Sequence, residues 1–461
     1  MREEHDLLGT LMLHDERYYG IQTLRAKENF AVSTTTAVDI PHYLWSIAAI
    51  KKSAAIANAQ IDILDTEIAQ AIIQAADEVM AHQFDDEFPI DIFQGGGGTS
   101  TNMNMNEVIA NRANELLTGK KGYERVHPNT HVNQCQSTND VIPAAMKMTC
   151  YFNLAALIKE VDALSQCLSE KEQAFQHIVK LARTCLQDAV PITFGQQFSG
   201  YAHQVKRLAL ALTHAQTQTL ALPLGATAVG TGLSTQEGYL PAVYAALEQT
   251  TEVGFYAEEN FFDGLQNGDT YLEISAQLKK LAAFLSKMAT DLRLQSSGPR
   301  GGFNEITLPA VQPGSSIMPG KINPVIPELI NQIAYQVIGN DVTITMAVEG
   351  GELDLNVWEP VIIKTLFESC TLLTKAIPLF IDKCLDGLQP NEAVCRHYAE
   401  QSTALATVIS TLFGYKVGSQ IATQAFEQGK SVKQVVLEQQ LLTQSQAEYL
   451  LDPMTMTDPQ M

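Results

Sequence analysis

Apolar residues recur along this chain at helical spacing over several long stretches. The clearest runs from Tyr271 to Leu294, where Ile274, Leu278, Leu281, Leu285, Met288 and Leu292 fall at alternating intervals of four and three. That spacing predicts a helix with a continuous bundle-type seam. Leu154, Leu157, Val161, Leu164, Leu168, Phe175 and Ile178 keep the same rule with one gap at Lys171 and predict a second long helix. Others are expected from Tyr201 to Leu222, from Glu328 to about Gly339 and from Val361 to about Leu385. Five such segments imply a bundle of long helices. A seam with few partners in its own chain is completed against further copies, so a homo-oligomer is expected.

Tyr43 to Gln60 and Glu67 to His82 read as shorter amphipathic helices, whereas Arg2 to Val32 shows short β-like pieces without a sustained period. Gln389-Pro390-Asn391 is a turn signal, and the helical patterns after it are short and broken at Gly414, Gly418 and Gly429. The expected architecture is mainly α in three domains: an amino-terminal mixed domain over 1–138, a central helical bundle over 139–390 and a small carboxy-terminal helical domain over 391–461. The sequence contains no solenoid-length repeat and no low-complexity tract.

Composition narrows the function. Of 461 residues 46% are hydrophobic, and 51 acidic against 30 basic side chains leave a formal charge of −21. Such an excess repels phosphates and anionic headgroups, which argues against nucleic-acid and membrane partners and for a small-molecule role. Met1 to Leu8 is not followed by the apolar core of a secretory signal, and no run of 18 apolar residues occurs. The seven cysteines are odd in number and include no CxxC pair, as expected of a reducing cytoplasm and not of a disulfide framework or a cysteine zinc site.

Three segments concentrate Gly, Ser, Thr and Asn just before helices: Gly95 to Asn102, Gln136 to Asp140, and Gly314 to Pro324. Part of this is capping chemistry, since Ser137 with Asp140 and Asn104 with Glu107 fit a capping box and Asn323-Pro324 suits an N-cap followed by proline. Taken together, three helix amino termini with unpaired N–H groups and partial positive charge make an anion pocket, with Lys321 as counter-ion. The nucleotide motifs fail on the same residues: Gly95 to Ser100 lacks the third glycine of G-x-G-x-x-G, and Ile322 stands where a P-loop needs Ser or Thr. The ten histidines form no H-E-x-x-H, so no metal site is predicted.

Gly314-Ser-Ser-Ile-Met-Pro-Gly-Lys-Ile-Asn323 closely resembles the G-S-S-x-x-M-P-x-K-x-N signature of the aspartase/fumarase superfamily. Gln94 to Thr99 with Asn102 to Asn111, Gln136-Ser-Thr-Asn-Asp140, and Gly225 to Leu233 resemble its other conserved blocks, and the similarity runs from Asp6-Leu-Leu-Gly9 through Asn356-Val-Trp-Glu-Pro360 into the last domain. The resemblance implies a homotetramer with a central multi-helix core, active sites shared between subunits, and an elimination that releases fumarate from a substituted succinate. It implies no required cofactor and leaves divalent-ion activation open. Val325-Ile-Pro-Glu328, Glu359 and the Gln-Ser-Thr-Asn sequence resemble the branch that removes ammonia from L-aspartate more than the class II fumarate hydratases, which stand as the alternative together with a catalytically impaired binding homologue.

By the same resemblance Ser315 is the general base that takes a Cβ proton. Serine is a weak base unless activated, and lowering its pKa by about 5 units takes about 7 kcal/mol of differential stabilisation. Thr99, Ser137, Thr138 and Ser316 supply hydroxyls for the dianionic enediolate; Lys321 and Asn323 hold the α-carboxylate; Asn139 and Thr184 orient the leaving ammonium. Gly314 and Gly320 let the loop carrying Ser315 act as a mobile lid. One departure stands out: Cys185 occupies a position that is His in fumarases and many aspartases and Gln in others; that His pairs in fumarases with the acid at the position of Glu328. Its residue type suits a small buried filler. Gln134 replaces a common lysine.

Overall fold

The computed structural model describes residues 1–458. A β-hairpin of β1 (Arg2–Asp6) and β2 (Gly9–Leu13) opens the chain, followed by α1 (Ile21–Asn29), α2 (Tyr43–Gln60), α3 (Thr66–Met80), α4 (Thr99–Thr118) and, after a π turn at Pro128–Val132, the long α5 (Thr138–Ala174). Next come the hairpin β3 (Val179–Thr184) and β4 (Gln187–Thr193), α6 (Phe194–Gln218), β5 (Ala221–Leu222), α7 (Tyr239–Thr251), β6 (Tyr256–Ala257), α8 (Phe261–Gln266) and α9 (Asp269–Gln295). The rest comprises β7 (Ile306–Thr307), α10 (Val325–Glu349), α11 (Glu359–Phe380), β8 (Gln389–Pro390), α12 (Glu392–Gln401), α13 (Ala406–Phe413), α14 (Tyr415–Gln428), α15 (Val432–Glu438) and α16 (Gln444–Leu450). Among the described residues the strands make four two-stranded pairs, and the protein is mainly α with long helices, as the periodicity predicts.

Contacts gather the chain into two compact units. The first comprises Met1–Ile158, Leu210–Lys280 and Tyr335–Thr374. Its core lies among α2, α3, α4, α7 and the first half of α5, with Ile47, Ile50, Ile72, Met105, Ile109 and Ile142 sealed from solvent. The second comprises Lys159–Ala209, Leu281–Ala334 and the described residues from Lys375 on. There Glu305 is completely buried between Arg183 at 2.6 Å and Lys180 at 3.4 Å, which fixes the β3–β4 hairpin to the segment entering β7. Residues 405–451 close around a cluster of their own formed by Leu405, Ile409, Ile421, Val432, Val435 and Val436.

The helix α9 encloses the predicted seam, every member of which is buried. The helix α5 begins sixteen residues before Leu154 and ends before Ile178, which lies next to the start of β3. Over its first half α5 is apolar on all sides because it is packed on all sides, and no single stripe marks it out. It is long and apolar enough to cross a membrane, but the apolar stretch is mostly buried in the protein, as in a core helix. The helix α10 runs on past Gly339 to Glu349, a mid-helix glycine being a cost of only about 1 kcal/mol.

The expected pairing of Asn104 with Glu107 as a cap for α4 does not form, because α4 starts five residues earlier, at Thr99. Asn104 donates instead to the Glu87 carbonyl at 2.8 Å. Glu107 caps a different helix: its carboxylate accepts the backbone N–H of Gly20, Gln22 and Thr23 at 2.9, 2.9 and 3.1 Å and the Thr23 hydroxyl at 2.6 Å, closing the amino end of α1. Replacing Glu107 by Ala strands these buried donors, each worth about 1–3 kcal/mol. Glu107→Ala is expected to lower stability by about 3 kcal/mol or more, read as an earlier midpoint in urea unfolding; a variant with an unchanged midpoint contradicts the capping role.

Candidate active site

In the first unit the amino ends of α4 and α5 meet. Gly98, at φ +79°, precedes α4 and lies so close to α5 that a Cβ there would sit 3.0 Å from two Ile142 carbons. Only glycine meets both demands. One turn into α4, Asn102 Nδ2 donates to Thr138 Oγ1 at 3.1 Å and to Asn133 Oδ1 at 3.2 Å. Thr138 opens α5, Ser137 precedes it and Asn139 follows, and all three are half-buried. The Ser137 hydroxyl accepts from Asn139 N at 3.3 Å, and Asp140 reaches back to Ser137 N at 2.9 Å, the backward half of the expected capping box.

These directions matter for chemistry. Because Thr138 Oγ1 and Ser137 Oγ are engaged as acceptors, each hydroxyl keeps its proton to donate outward. Thr99 differs, since its hydroxyl donates to the Gly96 carbonyl at 2.7 Å. Asn139 donates its amide to the Ala228 carbonyl at 2.7 Å, which leaves Oδ1 as the end that accepts from a cation.

Asp140 is fully buried and binds the backbone N–H of Gly225 and Thr227 at 3.0 and 2.9 Å, joining the glycine-rich 225–232 loop to α5. Burial pushes its carboxyl up to about 6, against the pull of the three backbone donors and of Lys51. Glu359 is also fully buried; its Oε2 has no hydrogen-bond partner among the described residues, and burial pushes its carboxyl well up. It lies against Gly97, where a Cβ would come within 3.2 Å of Oε2.

In the second unit the signature loop folds on itself. Gly314 N donates to the Lys321 carbonyl at 2.8 Å, and Asn323 Nδ2 donates to the Gly314 carbonyl at 2.9 Å. Asn323 therefore closes the loop and does not cap α10, and Pro324 lies before the first helical residue, Val325, instead of at it. Ser315 Oγ accepts the N–H of Ile317 at 3.2 Å and of Met318 at 3.0 Å. Two such donors favour the ionised oxygen over the neutral one. Ser316 and Lys321 are exposed. Lys321, Asn323, Glu328 and Arg293 line one cavity of about 690 Å³, where Arg293 stands 3.7 Å from Glu328 and donates to Asn331 at 3.1 Å.

Thr184 and Cys185 lie at the tip of the β3–β4 hairpin. Cys185 and Leu186 form its two-residue turn with φ +55° and +60°, left-handed values that normally call for Asn-Gly. Cys185 is exposed, which corrects the expectation of a buried filler. The structure thus brings Thr99, Ser137, Thr138 and Asn139 together in one unit and Lys321, Asn323 and Glu328 around one cavity in the other. The residues that composition and motif did not single out are Lys51, Asn133 and Arg293. Lys51 leaves a trace in the sequence as a lysine among the small and apolar residues of α2. Among the described residues no three His, Cys, Asp or Glu side chains gather as a metal site.

Comparison with known proteins extends over the whole chain. The sequence model of a family described as Lyase matches residues 9–339, and that of the Fumarase C C-terminus matches residues 405–458. The chain is 44% identical over 460 residues to an aspartate ammonia-lyase of Helicobacter pylori, covering 100% of this chain and 98% of that protein. It is 42% identical over 461 residues to that of Escherichia coli, covering 100% and 96%. Among solved structures, a fumarate lyase:delta crystallin from Brucella melitensis bound to cobalt superposes with a TM-score of 0.97 at 42% identity, covering 99% of this chain and 100% of that one. A class II fumarase from Schistosoma mansoni gives 0.96 at 36% identity, covering 100% of both. By matched length, full-chain identity and fold together, the chain belongs to the lyase family of the aspartase/fumarase superfamily.

Proposed function

We propose that this chain is an aspartate ammonia-lyase, a carbon–nitrogen lyase that converts L-aspartate to fumarate and ammonia with Ser315 as general base. The observation that carries the base is the pair of backbone N–H groups on Ser315 Oγ, which lowers the cost of forming an alkoxide on an otherwise weak base. The substrate rests on the full-length identity of 42–44% to aspartate ammonia-lyases.

In this reading Ser315 Oγ takes a proton from Cβ, and the C–H electron pair moves into the β-carboxylate as an enediolate. That pair then forms the Cα–Cβ double bond while the C–N bond breaks, nitrogen leaving with its bonding pair as ammonia. The proton on Ser315 passes to solvent. Ser137, Thr138 and Ser316 donate where the second negative charge develops, joined by Thr99 once its hydroxyl turns away from the Gly96 carbonyl. Lys321 and Asn323 hold the α-carboxylate, and the Asn139 carbonyl with Thr184 receives the ammonium. Closure of the exposed loop between Gly314 and Asn323 excludes water and brings Ser315 to the substrate. No cofactor enters these steps. Glu328 supports the site through Arg293, and the thiol of Cys185 does not replace an imidazole in proton transfer, which suits ammonia as leaving group better than water. Seven free cysteines, all but Cys185 buried, suit a reducing cytoplasm.

The test is ultraviolet detection of fumarate from purified protein given L-aspartate or L-malate separately. Fumarate from aspartate is expected. The likeness to a class II fumarase supports the second reading, a hydratase, which fumarate from malate alone would establish; silence with both substrates would leave a lyase for a related substituted succinate or amino acid, or a binding homologue. Ser315→Ala is expected to cut kcat about 100- to 10,000-fold with the fold intact, and retained turnover would remove Ser315 as the base. Lys321→Met is expected to raise KM about tenfold or more; an unchanged KM contradicts its carboxylate contact.

A homotetramer with shared sites belongs to the same proposal. Its support is an apolar stripe on α10, where Tyr335, Ile338, Val342 and Met346, at intervals of three and four, are 64, 38, 59 and 68% exposed. Such a face is covered in an assembly. Val342→Glu combined with Met346→Glu is expected to reduce the particle mass in light scattering from four copies to fewer, whereas a wild-type monomer would contradict the proposal.

A further inference from the structure

The buried lysine of α2 has no place in the elimination written above, yet its environment points at the same subsite. Lys51 is completely buried. Its Nζ donates to Asn133 Oδ1 at 2.9 Å and Gln136 Oε1 at 3.0 Å, both neutral amide oxygens. A cation desolvated in this way is costly unless it acts on an anion. Asn133 Oδ1 also accepts from Asn102 Nδ2 and, at 3.1 Å, Asn106 Nδ2, so three donors meet on one oxygen. Asn102 shares its amide with Thr138 Oγ1, and that contact leaves the Thr138 proton to point outward. Lys51, Asn133, Asn102 and Thr138 thus form one continuous chain of contacts from the interior of α2 to the amino end of α5.

We propose that Lys51 is a positioning residue for the carboxylate subsite at the amino ends of α4 and α5: its buried ammonium fixes Asn133 and Gln136 and supplies positive charge behind the Ser137 and Thr138 hydroxyls. This rests on the assignment of those hydroxyls to the substrate. Lys51 touches no substrate; it acts through Asn133, Asn102 and the field it adds to the α5 helix terminus.

Burial also pushes the Lys51 ammonium down to about 7, so its charge changes near neutral pH. The titratable groups gathered here are Asp140 at the start of α5, Cys135 in the connecting loop, and Tyr239 and Tyr244 on α7, the last three all within the field of Asp140. Asp140 is the charged group that acts on Lys51. Asn102 and Asn106 of α4 carry no charge. Below about 7 the subsite keeps its cation; as pH rises through that value the cation is lost and dicarboxylate binding weakens.

The experiment measures KM and kcat for L-aspartate, and the calorimetric Kd for succinate, from about pH 6 to about pH 9 in the full-length wild type, Asn133→Asp and Lys51→Met. In the wild type both KM and the succinate Kd are expected to rise about tenfold across the titration while kcat changes much less. Asn133→Asp places a carboxylate on the oxygen where three donors already meet, and is expected to move the midpoint up by about one pH unit or more. Lys51→Met is expected to bind weakly at every pH with a flat profile. A wild-type KM and Kd that do not change with pH, or a midpoint unmoved in Asn133→Asp, would overturn the proposal. Should Lys51→Met fail to fold, the Asn133→Asp shift decides. A wild type that binds succinate with this profile but does not turn over aspartate sinks the reaction and leaves the positioning role standing; turnover with a flat profile sinks the positioning role alone.

Discussion

Packing two helix amino termini against each other collects unpaired N–H groups and partial positive charge in a place with little water, and the first unit is built around meeting that constraint. Gly98 permits the approach of α4 to Ile142 on α5. Asn102 bridges the two ends, and Asp140 answers the N–H groups of Ser137, Gly225 and Thr227 with one carboxylate. What remains unanswered are the outward hydroxyl protons of Ser137 and Thr138. A site that donates and carries positive charge is one that a dicarboxylate completes. On the proposed function, a chain of formal charge −21 binds an anion here because short-range donors prevail over distant, screened charge.

The second unit solves a different problem, holding the signature loop in a closed turn without burying it. The loop is closed at its base by Gly314 with Lys321 and Asn323, while Ser315 is half-buried and Ser316 through Lys321 is exposed. The same unit anchors its hairpin through the buried Glu305, so that Thr184 and Cys185 stand at the tip of a rigidly based arm. A firm base with a mobile or exposed tip is the usual arrangement where a site must open to admit substrate.

Much of the helical scaffold was legible in the sequence wherever a helix presents one buried face. The limits of α2 match the predicted ones, and the α9 seam matches residue for residue. The first half of α5 was hidden because it is buried all round, and the β3–β4 hairpin because its turn is Cys185-Leu186 and carries no Asn-Gly signal. Among site residues, motif resemblance picked out the hydroxyls and Lys321, whose types and spacing are unusual. It passed over Lys51 and Asn133, which act through contacts between segments some eighty residues apart, and no local pattern encodes such contacts. Cys185 differs from its expectation for a related reason, since residue type suggests burial while the turn geometry exposes it.

Whether the amino ends of α4 and α5 receive a substrate carboxylate is decided by a crystal structure of Ser315→Ala soaked with L-aspartate. One carboxylate is expected within hydrogen-bond distance of the Ser137 and Thr138 hydroxyls, with the amino group facing Asn139 Oδ1. Aspartate bound elsewhere, with those hydroxyls left to water, would contradict it.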